Sequence, residues 1–144
     1  SFDLATMKPN EVDFTATATL ELKPSASGTC CWCYGVVLWF DTGFSGRFCR
    51  EAPAVLSTSP YMPTTHWSQT ILTFQEPIAM GFGKENGGKP EAIGTEVYPA
   101  VKIDLRVSIV RSTEHRSIDI SLEAAGVGPD SQKRSWPAQL FNLQ

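Results

Sequence analysis

Three segments in which apolar and polar residues alternate constrain the fold of this chain more than any other feature. In EVDFTATATLELK (residues 11–23), apolar side chains stand at every second position, with threonines or a glutamate between them. VKIDLRVSI (residues 101–109) and SIDISLEA (residues 117–124) repeat the pattern. Because successive side chains of a strand point to opposite faces, each segment predicts a β-strand with one apolar and one polar face.

The other apolar segments also favour strands over helices. Residues 30–40 (CCWCYGVVLWF) are apolar at odd and even positions alike, which predicts a central strand covered on both faces. Leu72 and Phe74 share one face of a further strand. No segment keeps its apolar residues at the helical spacings of three and four. We therefore predict an all-β fold, an antiparallel β-barrel or sandwich of about seven or more strands.

The chain has the size of one domain, and we expect its 144 residues, 1–144, to form a single β-barrel domain. The longest interruption, at about residues 80–100, is rich in glycine and proline and predicts a mobile or irregular loop. Because the chain opens with Ser1 rather than Met, we expect it to be a piece of a longer protein.

Charge and hydropathy argue against two classes of partner. The formal net charge is −3, which argues against nucleic-acid binding through a basic face. No apolar stretch approaches the length of a transmembrane helix, and no signal peptide is visible, so we expect no membrane partner.

Four cysteines, Cys30, Cys31, Cys33 and Cys49, raise the alternative of a metal or thiol-redox protein. Cys30 and Cys33 have the C-x-x-C spacing, but they fall inside a predicted strand and no second ligand pair accompanies them. Thiols that crowd into an apolar strand behave as small hydrophobes in a reducing compartment. We therefore predict no metal site, and a cytoplasmic location with the nucleus as a second compartment.

Other polar features have simple interpretations. His115 lies in RSTEHRS between two predicted strands, which favours a solvated hairpin histidine over a general acid or base. Asp41 and Asp104 lie on strands or their ends, and nothing in their spacing brings two carboxylates into one cleft. The KENGGKP segment lacks the spacing of a phosphate-binding loop and favours a flexible loop.

The junction LSTSPYMPTTHWSQTILTF (residues 56–74) joins a loop of prolines and hydroxyls to an alternating strand. Pro63 and the two threonines after it favour an ordered turn before His66. Trp67 can anchor this loop by burying a large ring. An imidazole held in this way can accept or donate a proton near neutral pH. From the residues alone, a histidine that only hydrogen-bonds the loop is the simpler interpretation.

The same junction resembles the C-terminal half of protein arginine methyltransferases, where a Ser-Thr-x-Pro segment leads into a Thr-His-Trp loop and a Gln-Thr strand. The matching residues are Ser57, Thr58, Ser59, Pro60, Thr65, His66, Trp67, Gln69 and Thr70. YGVVLWFDTGFSG, FDLATMKPNEVDFTATATL and WPAQLFNLQ resemble further segments of that half. The resemblance covers most of the chain, and Thr65-His66-Trp67 is its most specific part.

The resemblance implies a part in the S-adenosylmethionine-dependent methylation of arginine in protein substrates. His66 is the implied catalytic residue, which pairs with a carboxylate from the other half of the enzyme. Thr65 and Trp67 are the implied substrate-binding residues, which shape and brace the loop. The resemblance further implies a type I enzyme, which produces asymmetric dimethylarginine, and a parent enzyme that is a homodimer.

The chain also departs from the family. It lacks the glycine-rich cofactor motif, the loop with two glutamates that holds the substrate guanidinium, and the helical dimerisation arm. We therefore expect the cofactor-binding domain to be absent from this chain and S-adenosylmethionine to bind to the other half of the parent enzyme. The isolated fragment is expected to be inactive.

A second hypothesis, from a different class, is a non-catalytic β-sandwich module that binds glycans or peptides. The aromatic residues Trp32, Trp39 and Trp136 would supply its stacking platform.

Overall fold

The computed structural model describes residues 2–22, 30–47, 50–82 and 89–144, which fold mainly as strands and loops. The strands of these residues are β1 (Phe14–Glu21), β2 (Cys31–Leu38), β3 (Asp41–Phe44), β4 (Ala54–Ser57), β5 (Thr70–Met80), β6 (Lys102–Arg111), β7 (Ile118–Val127), β8 (Lys133–Ser135) and β9 (Gln139–Leu143). The described residues also form two short 3-10 helices, Pro9–Val12 and Pro90–Ala92. No helix among them has the length and apolar character needed to cross a membrane.

The strands form three sheets. In the largest sheet β1, β6 and β7 lie side by side, and β8 and β9 both pair with the far edge of β7. β2 pairs with β5, and β3 pairs with β4. Every pairing in the first and third of these sheets is antiparallel. The prediction of an all-β antiparallel fold is confirmed, although the described strands do not close into a barrel.

The described contacts group into two compact units. The first unit combines Ser1–Tyr34 with Phe74–Gln144, and the second unit is Gly35–Thr73. β2 and β5 each contribute residues to both units.

The core of the first unit lies on one face of the largest sheet. Ile103 and Leu105 of β6 and Ile120 and Leu122 of β7 are buried, whereas Asp104 lies on the opposite face and keeps part of its surface in solvent. β6 and β7 pair in antiparallel register along their whole length. The strands predicted from the alternation in residues 101–109 and 117–124 are confirmed, with the apolar face inward.

β1 forms where the first alternating segment predicts it, but its apolar face stays open. Seven of its eight residues are exposed. Its threonines instead make polar contacts with β6. Thr15 Oγ1 lies 2.8 Å from Ser108 Oγ, and Thr19 Oγ1 donates to Asp104 Oδ1 at 3.1 Å. The backbone ladder and these cross-strand pairs therefore hold β1 in place more than burial does.

β2 is not the doubly covered central strand that its composition predicts. Among the described residues it pairs with β5 alone, and none of its eight residues is buried. Trp32, Tyr34 and Val37 each keep more than two fifths of their surface in solvent. An apolar pattern on both faces indicates which surfaces favour burial, but the described part of this chain supplies no layer that fully covers them.

Residues 89–100, the second half of the Gly/Pro-rich segment, are irregular as predicted, but hydrogen bonds anchor them to β5. The Ala79 N–H donates to the Gly94 carbonyl at 2.8 Å, and the Ala100 N–H donates to the Ala79 carbonyl at 2.8 Å. This half is therefore fixed to the core rather than a free loop. Residues 83–88, with most of the KENGGKP segment, lie outside the described residues.

The second unit depends on a hairpin and on a buried threonine beside it. β3 and β4 form the hairpin, and Thr58 follows β4 directly. The Thr58 N–H donates to the Phe40 carbonyl at 3.0 Å, and the Thr58 hydroxyl donates to the same carbonyl at 2.9 Å. The hydroxyl also accepts the Phe40 N–H at 3.0 Å. Thr58 is only 2% exposed, so this pairing satisfies polar groups that water does not reach.

Replacing a core residue of β6 should destabilise the chain much more than replacing an outward-facing residue of the same strand. For Ile103→Ala we expect the free energy of unfolding to fall by about 2–5 kcal/mol, because the change leaves a cavity at a fully buried site. Val110→Ala, at a site that is 43% exposed, should cost about 0.5 kcal/mol or less. Urea unfolding of the 144-residue chain measures both values, and equal losses would contradict the assignment of the core face.

Thr58→Val should destabilise the second unit although it keeps the shape of the side chain. The valine removes the hydroxyl and leaves the part-buried Phe40 N–H without its acceptor. We therefore expect a loss of about 1–3 kcal/mol in the free energy of unfolding. Thr64→Val, at an exposed position of the same loop, is the matched control and should change it by about 0.5 kcal/mol or less. A change at Thr58 no larger than the control would show that the pairing with Phe40 contributes nothing.

Candidate functional site

The loop of residues 58–69 connects β4 to β5 and is closed at its base by a side chain. Gln69 Nε2 donates to the Thr58 carbonyl oxygen at 2.7 Å, so the two ends of the loop are joined directly. Near the start of the loop, the Met62 N–H donates to the Ser59 carbonyl at 3.1 Å. Pro60 takes the second position of this turn, which its fixed φ favours. The sequence therefore folds the segment into a compact closed loop, with no helix.

His66 lies on the exposed side of this loop, one residue before Trp67. Thr65 Oγ1 donates to the Trp67 carbonyl at 3.1 Å, which bends the chain around the histidine. The imidazole and indole centroids are 5.7 Å apart, with the two rings nearly perpendicular at 81°. The structure thus brings Thr65, His66 and Trp67 together and presents the imidazole to solvent.

Trp67 is not the buried anchor that the sequence predicts. It is 51% exposed, and its ring contacts the Phe40 ring edge-on, with centroids 6.2 Å apart and the planes at 69°. Aromatic pairs favour such tilted arrangements because the positive edge of one ring meets the negative face of the other. Trp67 therefore braces the loop by an aromatic contact at the surface rather than by full burial.

A depression of about 200 Å³ lies inside the loop. Thr58 and Gln69 line it at the base, and Met62 and Thr64 line it farther out. The loop therefore offers an exposed imidazole next to a small recess. An imidazole in this position can exchange a proton with a group that approaches from outside the loop.

The two aspartates considered from the sequence each have a structural partner. Asp41 Oδ1 accepts the Ser57 hydroxyl at 2.5 Å and fixes the end of the β3–β4 hairpin. Asp104 pairs with Lys133, whose Nζ lies 2.7 Å from Oδ2. The hydrogen bond from Lys133 holds the pKa of Asp104 below its usual value, so this carboxyl stays ionised near neutral pH. Both side chains therefore support the strands that carry them.

The remaining titratable candidates also lie outside a common site. His115 is exposed in the turn between β6 and β7. Burial and the nearby charge of Glu96 raise the pKa of the Cys30 thiol, which disfavours the thiolate form that metals and disulfide chemistry require. Cys49 lies outside the described residues. Within the described ranges, no three His, Cys, Asp or Glu side chains are grouped as metal ligands.

Trp136, one of the aromatics of the binding-module hypothesis, is held inside a polar clamp. The Arg134 guanidinium lies 4.5 Å from the centre of the Trp136 ring. Arg134 also forms a 2.6 Å ion pair with Glu76, and the Trp136 indole N–H donates to the same carboxylate. A Cβ on Gly94 would come within 2.8 Å of the indole. Because Arg134 and Gly94 occupy its surroundings, Trp136 does not form an open stacking platform. Trp32 and Trp39 remain partly exposed.

Sequence reasoning missed the residues that frame the His66 loop. Thr58 and Gln69 entered only as letters of a matching motif, and Phe40 only as part of an apolar strand and of a matching segment. The signal that points to Thr58 is a small hydroxyl residue directly after a strand, where its side chain can pair with a neighbouring backbone. No local signal identifies Gln69, because its partner carbonyl is eleven positions away.

Comparison with known proteins places the chain in a family. Residues 1–125 match the family model described as the Arginine methyltransferase oligomerization subdomain. The chain is 65% identical over 145 residues to the probable protein arginine N-methyltransferase 3 of Arabidopsis thaliana. It is 58% identical over 146 residues to the protein of the same name in Oryza sativa subsp. indica. Each match covers 99% of this chain but 24% and 23% of the relatives, so the chain spans about a quarter of their length.

A solved structure supports the same fold. The crystal structure of Arabidopsis thaliana protein arginine methyltransferase 10 superimposes with a TM-score of 0.63 at 20% sequence identity. The match covers 96% of this chain and 35% of that one. The chain belongs to the arginine methyltransferase oligomerization subdomain family, and it corresponds to the C-terminal domain of a protein arginine methyltransferase.

Proposed function

We propose that this chain contributes the Thr65-His66-Trp67 loop to S-adenosylmethionine-dependent methylation of arginine side chains in protein substrates. The observation that carries the proposal is an exposed imidazole on a loop closed by the Gln69–Thr58 hydrogen bond. The names of the relatives, which describe protein arginine N-methyltransferases, support the reaction class.

In this proposal His66 takes part in proton transfer rather than in methyl transfer. A guanidinium nitrogen that gains a methyl group must release one proton. His66, paired with a carboxylate from the rest of the parent enzyme, accepts that proton or orients the carboxylate that does. S-adenosylmethionine, bound by the other half of the enzyme, supplies the methyl group.

Thr65 and Trp67 act on the position of the imidazole and on the substrate. Thr65 fixes the backbone around His66 by its hydrogen bond to the Trp67 carbonyl. The indole borders the imidazole and presents about half of its surface to solvent. That exposed surface is suited to contact the guanidinium of a substrate arginine, since aromatic faces attract such cations.

The finer assignments belong to the same proposal. We infer a type I enzyme that produces asymmetric dimethylarginine, a parent enzyme that forms a homodimer, and a location in the cytoplasm and the nucleus. The family description as an oligomerization subdomain supports assembly into oligomers. No cofactor-binding residue is assigned within residues 1–144.

The first test is His66→Gln in the full-length parent enzyme. Glutamine keeps hydrogen-bonding capacity but cannot carry the proton, so we expect kcat to fall by about 10²–10⁴-fold. Cofactor affinity and the melting temperature should stay close to the wild-type values. His115→Gln, at the other histidine of this chain, is the matched control and should retain full turnover. Wild-type kcat in the His66 variant would refute the proposal.

A second test concerns the isolated 144-residue chain. Because the cofactor is assigned to the other half of the enzyme, calorimetric titration of the chain with S-adenosylmethionine should give only the heat of dilution. The full-length enzyme, titrated under the same conditions, is the positive control. Micromolar binding to the isolated chain would contradict the proposal that the cofactor binds to the other half of the enzyme.

A further inference from the structure

A side-chain hydrogen bond crosses the base of the loop that carries His66. Gln69 Nε2 donates to the Thr58 carbonyl at 2.7 Å, and Gln69 lies three residues after His66. The bond thus fixes the point at which the chain leaves the loop and enters β5. The other described contacts of residues 66–69 are the hydrogen bond from Thr65 to the Trp67 carbonyl and the ring contacts of Trp67.

The acceptor of this bond belongs to a rigid part of the second unit. Thr58 is 2% exposed, and three hydrogen bonds of 2.9–3.0 Å join its backbone N–H and hydroxyl to Phe40. Gln69 therefore ties the loop base to a residue that cannot shift without breaking its three hydrogen bonds to Phe40.

A second brace returns to the same pair of residues. The Phe40 ring contacts the Trp67 ring at 6.2 Å, and the Trp67 ring contacts the His66 ring at 5.7 Å. One brace therefore runs from Thr58 through Gln69, and the other runs from Phe40 through Trp67. The first brace holds the segment 66–69 at Gln69, and the second holds it at Trp67, directly beside His66.

We propose that Gln69 is a positioning residue that acts through His66 by holding the loop base on the Thr58 carbonyl. The inference rests on the proposed function of His66. Proton transfer depends on the placement of the imidazole to within a fraction of an ångström, and a displacement of about 1 Å can cost about a hundredfold in rate. Loss of the Gln69 bond therefore lowers turnover although Gln69 itself touches no reacting group.

The test uses the full-length parent enzyme with Gln69→Glu and Gln69→Met. Both substitutions keep the length of the side chain and remove the N–H donor, and the methionine adds no charge. We expect kcat to fall by about ten- to a hundredfold in both variants, with the cofactor KM and the melting temperature near wild type. Gln75→Glu, on β5, is the matched control and should keep wild-type kcat, since the structure gives its side chain no hydrogen bond to a described residue.

A double-mutant cycle with His66→Gln separates positioning from a general loss of stability. If Gln69 acts through His66, adding Gln69→Glu to His66→Gln lowers kcat by less than about twofold, because residues that act as one unit are non-additive. Additive losses would overturn the inference. So would a kcat that falls only in proportion to the unfolded fraction of the Gln69 variants.

The outcomes also distinguish this inference from the proposed function. Full turnover in Gln69→Glu and Gln69→Met, together with lost turnover in His66→Gln, would overturn the positioning role alone. Full turnover in His66→Gln would overturn the proposed function and the positioning role with it.

Discussion

The second unit depends on the buried pairing between Thr58 and Phe40. Thr58 lies directly after the end of β4, and its hydroxyl accepts the Phe40 N–H and donates to the Phe40 carbonyl. The side chain thus takes the place of the next backbone pairing between the two strands. The pairing cannot be exchanged for water, since Thr58 is almost fully enclosed. The loop with His66 begins at this fixed point and returns to it through Gln69. The loop that carries the imidazole is therefore held by the hydrogen bonds of Thr58 and Gln69 and by the ring contact between Trp67 and Phe40.

Where a segment buries one face only, its sequence predicts its structure well. β6 and β7 follow their alternation, with Ile103 and Leu122 inward and Asp104 on the opposite face, because a shift of one residue would expose the whole apolar set. The prediction fails for the cover of β2, which is apolar on both faces but has no buried residue. The apolar pattern of β2 shows which of its faces favour burial. Burial also requires a second layer of chain over those faces, and the sequence of the strand does not specify that layer.

The candidate site was only partly visible in the sequence. Residue chemistry identified His66 as a possible proton carrier but did not favour that role, and the family resemblance supplied the rest. The expected burial of Trp67 was wrong, because the neighbouring Phe40 offers a ring edge at the surface rather than an enclosing pocket. Gln69 could not be found at all, since its partner is a backbone carbonyl that only chain folding brings near.

The clamp around Trp136 has a consequence for how the first unit assembles. Arg134 and Trp136 come from the last part of the chain, yet they engage Glu76 on β5 and the carbonyl of Ile93 in the irregular segment. These contacts span 41 to 60 positions, so they join parts of the first unit that are far apart in the sequence. The Ile93 carbonyl in the 89–100 segment and the Glu76 carboxylate on β5 therefore share one donor, so a single substitution at Arg134 would disturb two separate parts of the chain at once.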